Sequence, residues 1–178
     1  MKRGLYVGRF QPLHLGHLKV IKSIMKNVNE LIIVIGSAQK SHEIGNPFTA
    51  GERIMMLKQA FQEAKIPVSK CFFIPVPDLR MHSLWVAHVI SYSPHFNVVY
   101  SNDPLTRRLF DEAGIKVEHI PFFDRELYSS TEVRRRMLVD EDWRTLLPKS
   151  VSNIIDEIGG VERIKDLSMT DSPTKRNH

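Results

Sequence analysis

Short apolar segments alternate with helical patterns along this chain, and this alternation constrains the fold more than any other feature. Segments typical of strands lie at 5–7, 31–35, 72–74, 98–100 and 116–120. Between them, apolar residues recur at spacings of three and four, the period of an amphipathic helix. Strands and helices joined by short connections predict one parallel sheet with helices on both faces, the Rossmann-like doubly wound α/β class. Ligands bind such sheets beyond the carboxyl ends of the strands, so the loops that follow the strands are the candidates.

Cap signals mark where several predicted helices begin. Thr49 and Glu52 match a capping box, and Asp103 stands before Pro104 as an N-cap stands before proline at N1. The segment 129–132 (SSTE) offers a second capping box. Further helices are predicted at 16–28, 83–92, 143–147 and 151–158.

Composition bounds the domain count and the class of protein. With 178 residues, 42% of them hydrophobic, we expect a single domain over 1–167 and a disordered polar tail over 168–178. One cysteine excludes a disulfide-stapled scaffold. The apolar run before Arg9 is too short for a signal peptide, and no apolar stretch approaches the roughly 20 residues that span a bilayer. We therefore expect a cytoplasmic protein.

The loop after the first predicted strand, 8–17 (GRFQPLHLGH), has the physical character of an anion site. It matches neither GxGxxG nor a Walker A loop, but a helix begins near Gly16 and directs its N-terminal amides at the loop. His14 and His17 are one turn apart, so both rings can face one point. Zinc-binding histidines on a helix prefer a spacing of four with a third ligand nearby, so we expect no metal ligation by this pair.

Three more residues of this loop favour phosphate binding. Gly8 and Gly16 carry no side chain that would keep a phosphate from the backbone. Arg9 supplies a permanent charge on a planar fork that suits phosphate oxygens.

A second predicted anion site lies where a later helix begins. Ser129, Ser130 and Thr131 offer hydroxyl groups there, and Arg134 follows one turn later. Helical spacing puts Arg134 on the face of Ser130 and Thr131, whereas the next two arginines turn away. A capping box beside a solvated arginine run explains the same residues, and the sequence does not separate the two interpretations.

These motifs together resemble a known family. HxGH after the first strand and SSTEVR at 129–134 are similar to the nucleotidyltransferase superfamily, and more closely to the archaeal type of nicotinamide-nucleotide (NMN) adenylyltransferase. The resemblance covers about 4–167. Its five segments are 8–17, 35–42 (IGSAQKSH), 46–53 (NPFTAGER), 83–86 (SLWV) and 128–137 (YSSTEVRRRM).

The resemblance implies a reaction and a set of residues. Members join NMN to ATP by direct in-line attack on the α-phosphate, which gives NAD and pyrophosphate, with Mg²⁺ or another divalent ion held mainly by the ATP phosphates. It implies His14, His17 and Arg134 as catalytic residues. On the ATP side it implies Gly8, Arg9, Phe10, Gly16, Ser37, Lys40, Ser129, Ser130 and Thr131. It also implies a homo-oligomer, possibly a hexamer.

The NMN side is assigned to 78–85 by the same resemblance. Trp85 would stack on the cationic nicotinamide ring, with Asp78 and Leu79 beside it. His82 stands where the family often has an asparagine, which makes nicotinic-acid mononucleotide an alternative acceptor. From the residues alone, a tryptophan near a helix start such as Trp85 is more often a plain core residue.

Two other readings compete with NMN adenylyl transfer. The same chemistry with another acceptor, such as phosphopantetheine or FMN, fits the HxGH motif. A nucleotide-sensing or RNA-binding module fits the net charge of +5. The chain carries no helix-turn-helix extension, RNP aromatic pair or arginine-rich tail, so we expect neither a nucleic-acid nor a membrane partner.

Overall fold

Five parallel strands form one sheet in the computed structural model, which describes residues 1–120 and 128–170. The sheet order is β3-β2-β1-β4-β5. The strands are β1 (Arg3–Gly8), β2 (Glu30–Ile35), β3 (Cys71–Pro75), β4 (Val98–Tyr100) and β5 (Val117–Glu118). The predicted fold class is therefore confirmed.

Seven α-helices accompany the sheet in this part of the chain. They are α1 (Leu15–Met25), α2 (Ala50–Glu63), α3 (Trp85–Tyr92), α4 (Pro104–Glu112), α5 (Ser130–Leu138), α6 (Lys149–Glu157) and α7 (Gly160–Thr170). Short 3₁₀ turns form at Val68–Lys70, His82–Leu84 and Arg144–Leu146. Among the described residues, none of the helices has the length and apolarity to cross a bilayer.

Several predicted helices have different bounds in the structure, and two of them differ most. The predicted helix at 143–147 is only a 3₁₀ turn, because Leu147 is extended before Pro148. The predicted helix at 16–28 begins at Leu15 and ends at Met25, where the Asn27 side chain donates to the Ser23 carbonyl.

Helix α7 is a feature that the sequence did not predict. It includes the first three residues of the predicted tail, 168–170, and the rest of that tail lies outside the described residues. Ile164 is fully buried, and the Arg163 guanidinium donates to both carboxylate oxygens of Glu52 at 2.8 and 2.9 Å. Its place is thus fixed by contacts with distant parts of the chain.

The core lies on both faces of the sheet. On β2, Leu31, Ile33 and Ile35 belong to one buried cluster and Ile32 and Val34 to the other, and all five are fully buried. A strand buried on both faces reads as a continuous apolar run, as β2 does.

Strand order places a crevice at the middle of the sheet. The chain runs outward from β1 to β2 and β3, then returns to β4 on the other side of β1. Connections therefore diverge at the carboxyl ends of β1 and β4, the switch point where such sheets bind ligands.

Candidate active site

A cavity of about 340 Å³ lies at the switch point. The loops after β1 and β4 and the starts of α1 and α5 form its walls. Most of the predicted phosphate-side residues line it, namely Arg9, Phe10, His14, Gly16, His17, Ser129, Ser130, Thr131 and Arg134. The two predicted anion sites, more than 100 residues apart in sequence, are thus one site.

His14 and His17 cap helix α1 through each other. The Nδ1 atom of His14 accepts the His17 backbone N–H at 3.3 Å, and the Nδ1 atom of His17 accepts the His14 backbone N–H at 3.3 Å. The two rings stack with centroids 3.6 Å apart. Because each Nδ1 accepts, each neutral ring carries its proton on Nε2, which is the nitrogen left to donate to a ligand.

The surroundings keep both imidazoles neutral. Burial lowers the pKa of His14 to about 3. Burial, together with repulsion from His14, holds the pKa of His17 well below its usual value. At neutral pH the pair therefore offers N–H donors without adding positive charge.

The Phe10 ring fixes the position of His17 from behind. It is fully buried, and its centroid lies 4.9 Å from that of the His17 ring. A Cβ atom on Gly8 would lie 2.6 Å from the Phe10 ring. Gly8 is absent from the cavity lining, so the close approach that it permits is to Phe10. Gly16 does line the cavity, and a Cβ there would lie 2.7 Å from Cβ of Tyr128.

Arg134 lies in the cavity wall, and the neighbouring arginines point elsewhere. Its guanidinium donates to the Gln11 carbonyl at 2.7 Å and to the Thr131 hydroxyl at 3.4 Å. Burial, with repulsion from Arg9, lowers its pKa to about 10, so it stays charged at neutral pH. Arg135 and Arg136 pair with Glu132, each at 2.8 Å, as the helical spacing predicts.

The start of α5 combines capping with attachment to the first loop. The Ser129 hydroxyl accepts the Glu132 backbone N–H at 3.1 Å. Only half of the predicted capping box forms, because the Glu132 carboxylate is bound by the two arginines that follow Arg134. The Ser130 hydroxyl donates to the Pro12 carbonyl at 2.9 Å, which holds α5 against the loop after β1.

The loop after β4, one of the candidate loops, contributes cavity residues that no sequence motif assigned to the site. Ser101, Asn102 and Asp103 all line it. The Asn102 side chain donates to the Ile120 carbonyl at 2.7 Å and accepts the Ile120 N–H at 3.0 Å, which joins the ends of β4 and β5. The signal for them in the sequence is the position of polar residues directly after a strand, and Asp103 is both the cap of α4 and part of the cavity wall.

A second cavity, of about 450 Å³, lies beside the first. Its walls include all four residues predicted for the NMN side, namely Asp78, Leu79, His82 and Trp85. Leu105 and Thr106 of α4 close it, and Asp103 at the same helix start lines the first cavity. Trp85 is half-buried and opens α3, so one part of the indole remains accessible.

Comparison with known proteins shows the family to which the chain belongs. The model of the cytidylyltransferase-like family matches residues 5–136. A relative from Methanolobus tindarius named nicotinamide-nucleotide adenylyltransferase is 54% identical over 96% of this chain and 97% of its own. A protein of the same name from Saccharolobus solfataricus is 47% identical over 96% and 99%. The chain belongs to the nicotinamide-nucleotide adenylyltransferases of the cytidylyltransferase-like family. The resemblance inferred from the motifs is therefore confirmed.

Solved structures share the fold of this adenylyltransferase family member. A bifunctional NMN adenylyltransferase/ADP ribose pyrophosphatase from Francisella tularensis, complexed with AMP and a manganese ion, gives a TM-score of 0.75 at 21% identity. The chain covers about half of that protein's length (52%) and 94% of its own. A putative nicotinate-nucleotide adenylyltransferase from Vibrio parahaemolyticus gives 0.59 at 16% identity, covering 87% of this chain and 99% of the other. At identities this low, the likeness shows a shared fold and nothing further.

Ser37 and Lys40 of this adenylyltransferase both contact Asp78 in the loop after β3. The Ser37 hydroxyl donates to Oδ1 of Asp78 at 3.0 Å, and the Lys40 ammonium lies 3.7 Å from Oδ2. Lys40 lines the Trp85 cavity. The loop after β2 turns toward the neighbouring loop after β3, so these contacts group both residues with Asp78, and their assignment to the ATP side stays a prediction.

The donor set fits a metal ion held by a ligand better than one held by side chains. Within residues 1–120 and 128–170, no group of three or more His, Cys, Asp or Glu side chains could hold a metal ion. The first cavity presents imidazole, guanidinium and hydroxyl groups, with Asp103 as its one carboxylate in that part of the chain. Such walls fit phosphates, which bring ligands for a divalent ion with them.

Proposed function

We propose that the protein transfers the adenylyl group of ATP to NMN, which yields NAD and pyrophosphate. One observation carries the proposal. A cavity lined by hydrogen-bond donors that suit phosphate and a cavity with an indole wall lie side by side at the carboxyl edge of the sheet. The first suits a triphosphate, and the second suits a pyridine ring. Relatives about 50% identical over nearly the whole chain carry the same activity in their names.

The first cavity attracts a polyanion because its arginines have no carboxylate partner among the residues that the structure describes. Within 1–120 and 128–170, no carboxylate forms an ion pair with Arg9 or Arg134. Arg134 nevertheless keeps its charge in a buried position. A buried guanidinium without a counter-ion is stabilised when an anionic phosphate binds.

The second cavity suits the cationic nicotinamide ring. The indole of Trp85 attracts such a ring through its π face. The Asp78 carboxylate lies in the same cavity, where Ser37 and Gln39 hold it by hydrogen bonds of 3.0 and 3.2 Å. Leu79 and Leu105 add apolar walls.

The reaction then proceeds by positioning and charge stabilisation. A phosphate oxygen of NMN attacks the α-phosphorus of ATP, and the bond to the departing pyrophosphate breaks with no covalent enzyme intermediate. The Nε2–H groups of His14 and His17 and the guanidinium of Arg134 donate to phosphate oxygens whose charge grows during the transfer. When bound to the ATP phosphates, Mg²⁺ neutralises charge on the leaving group.

The test is product analysis on the purified protein. With NMN, ATP and Mg²⁺, we expect equimolar NAD and pyrophosphate, measured by liquid chromatography and ³¹P NMR. FMN and phosphopantetheine replace NMN in control reactions, and we expect no adenylylated product from either. If neither NMN nor ATP is consumed at high enzyme concentration, the proposal is contradicted.

A second acceptor is favoured by one feature of the Trp85 cavity. Lys40, Arg80 and His82 give it cationic and hydrogen-bonding groups that suit a carboxylate as well as a carboxamide. We therefore propose that nicotinic-acid mononucleotide is also adenylylated. The ratio of kcat/KM for the two acceptors measures this, and His82→Asn should shift the ratio toward NMN. An unchanged ratio would remove His82 from the specificity argument.

A further inference from the structure

Arg53 is a fully buried arginine that the proposed reaction does not use directly. It lies in the first turn of α2 with no exposed surface. Its Nη1 donates to the carbonyls of Arg9 and Gly36, each at 2.9 Å, and its Nη2 donates to that of Ser37 at 3.1 Å. Its Nε donates to the Thr49 carbonyl at 3.2 Å. A single guanidinium therefore joins the chain segments that leave β1 and β2 to the start of α2.

Two of the carbonyls that Arg53 binds come directly before a residue with a strained backbone conformation. Phe10 follows Arg9 and has φ of 52°, and Ser37 follows Gly36 and has φ of 49°. Residues with a side chain seldom adopt this left-handed region unless the surrounding structure holds them there. Because Arg53 binds the carbonyl that precedes each of these residues, it holds both turns in place.

Each turn leads to one of the two cavities. The Phe10 ring packs behind the His17 ring in the phosphate cavity, at 4.9 Å between centroids. The Ser37 hydroxyl holds Asp78, which lines the Trp85 cavity. Two short series of contacts thus start at Arg53, and each of them ends at one of the two cavities.

We propose that Arg53 is a positioning residue that sets the placement of the two nucleotide sites relative to each other. This inference rests on the proposed function. In-line transfer requires the attacking oxygen and the α-phosphorus to be aligned, and a misplacement of about 1 Å costs about a hundredfold in rate. The side chains that line each cavity remain when Arg53 is altered, and what we expect to change is the placement of the two turns that carry them. Loss of Arg53 should therefore lower turnover more than it weakens the binding of either nucleotide.

Arginine geometry explains why lysine cannot replace it. The guanidinium presents five N–H groups in fixed directions in one plane, whereas the lysine ammonium presents three from one nitrogen. Arg53→Lys keeps the charge but cannot reach four carbonyls that surround a planar group. This variant therefore separates geometry from charge.

The test compares Arg53→Lys with a matched control, Arg163→Lys. Arg163 is a partly buried arginine at the same end of α2, where it binds the Glu52 carboxylate and the Pro47 carbonyl but neither strand end. For R53K we expect kcat lowered about 10- to 100-fold with the KM and the calorimetric Kd of ATP changed by less than about threefold. For R163K we expect a lower melting temperature with kcat within about twofold of the wild type.

Chemical rescue supplies a second readout. In Arg53→Ala, added guanidinium ion at non-denaturing concentration should restore part of kcat, and ethylammonium at the same ionic strength should not. Wild-type kcat in R53K would overturn the proposal. The proposal would also be overturned if the fall in kcat of R53K equalled the fraction of that variant that is unfolded. If the R53K variant is already unfolded at low temperature and so shows no cooperative melting transition, the proposal is also overturned, because Arg53 would then serve folding alone.

A third readout does not depend on turnover. The ¹⁵N chemical shifts of the His14 and His17 imidazoles report their hydrogen bonds, and R53K should move the His17 signals through Phe10 while R163K leaves them unchanged. If the wild type makes no dinucleotide, the proposed function fails, yet this comparison still tests the positioning role. Identical spectra in wild type and R53K would contradict it.

Discussion

The backbone N–H of His14 and that of His17 each donate to the other residue's Nδ1 at 3.3 Å, so the pair caps its own helix. Each residue thereby fixes the tautomer and the orientation of the other. The Nε2–H groups that result point away from the helix backbone that the Nδ1 atoms bind. A helix cap, usually a stability device, here also presents two donors to the cavity.

Replacing His14 by asparagine should separate capping from catalysis. Asparagine is a good N-cap, so we expect helix α1 and the melting temperature to be largely retained. The Nε2–H donor is lost, and kcat should fall about 100- to 1,000-fold, by analogy with the removal of one oxyanion donor. Steady-state kinetics beside thermal unfolding measure both effects. Near-normal turnover in a folded H14N protein would show that this donor is dispensable.

Stability should fall as the pH is lowered from about 6.5 toward 3. The folded-state pKa of His14 is about 3 and that of His17 is also well below the usual histidine value of 6.5, so in this range the unfolded chain binds more protons. The free energy of unfolding therefore rises with pH across this window. Urea unfolding at a series of pH values measures the slope, and His14→Asn should reduce it. An equal slope in the variant would refute the assignment to this pair.

Arg134→Ala and Arg136→Ala should differ sharply. Arg134 is in the cavity wall, whereas Arg136 is paired with Glu132 on the other side of α5. We expect R134A to lower kcat/KM for ATP by about 100-fold or more, and R136A to change it by less than about threefold. Equal losses in the two variants would contradict the facing of the helix.

Trp85→Ala should act mainly on the acceptor. Loss of a cation–π contact of about 1–2 kcal/mol should raise the KM for NMN about tenfold. The KM for ATP should change much less, because the indole lines only the second cavity. Trp85→Phe, which keeps a smaller π face, should fall between the wild type and the alanine variant. A rise in both KM values by the same factor would place Trp85 in the core instead.

Much of the fold follows from local patterns. The five strands, the Thr49–Glu52 capping box and the Asp103 cap depend on residues within a few positions of one another, and the structure has all of them. The facing of Arg134 follows from helical spacing in the same way. Motif spacing also brought His14 and His17 together, since one helical turn joins them.

The sequence by itself determined the order along the chain of the five strands and of the helices up to α6, the parallel sheet and the crevice at its carboxyl edge, because periodicity and caps act over short distances along the chain. Only the tertiary structure decided that Ser37 serves Asp78, that Asn102 ties β4 to β5, and that Arg53 links both strand ends. These bonds join residues 41, 18 and 17 positions apart. Which polar groups meet over such separations depends on the packing of whole elements, and no local pattern encodes it.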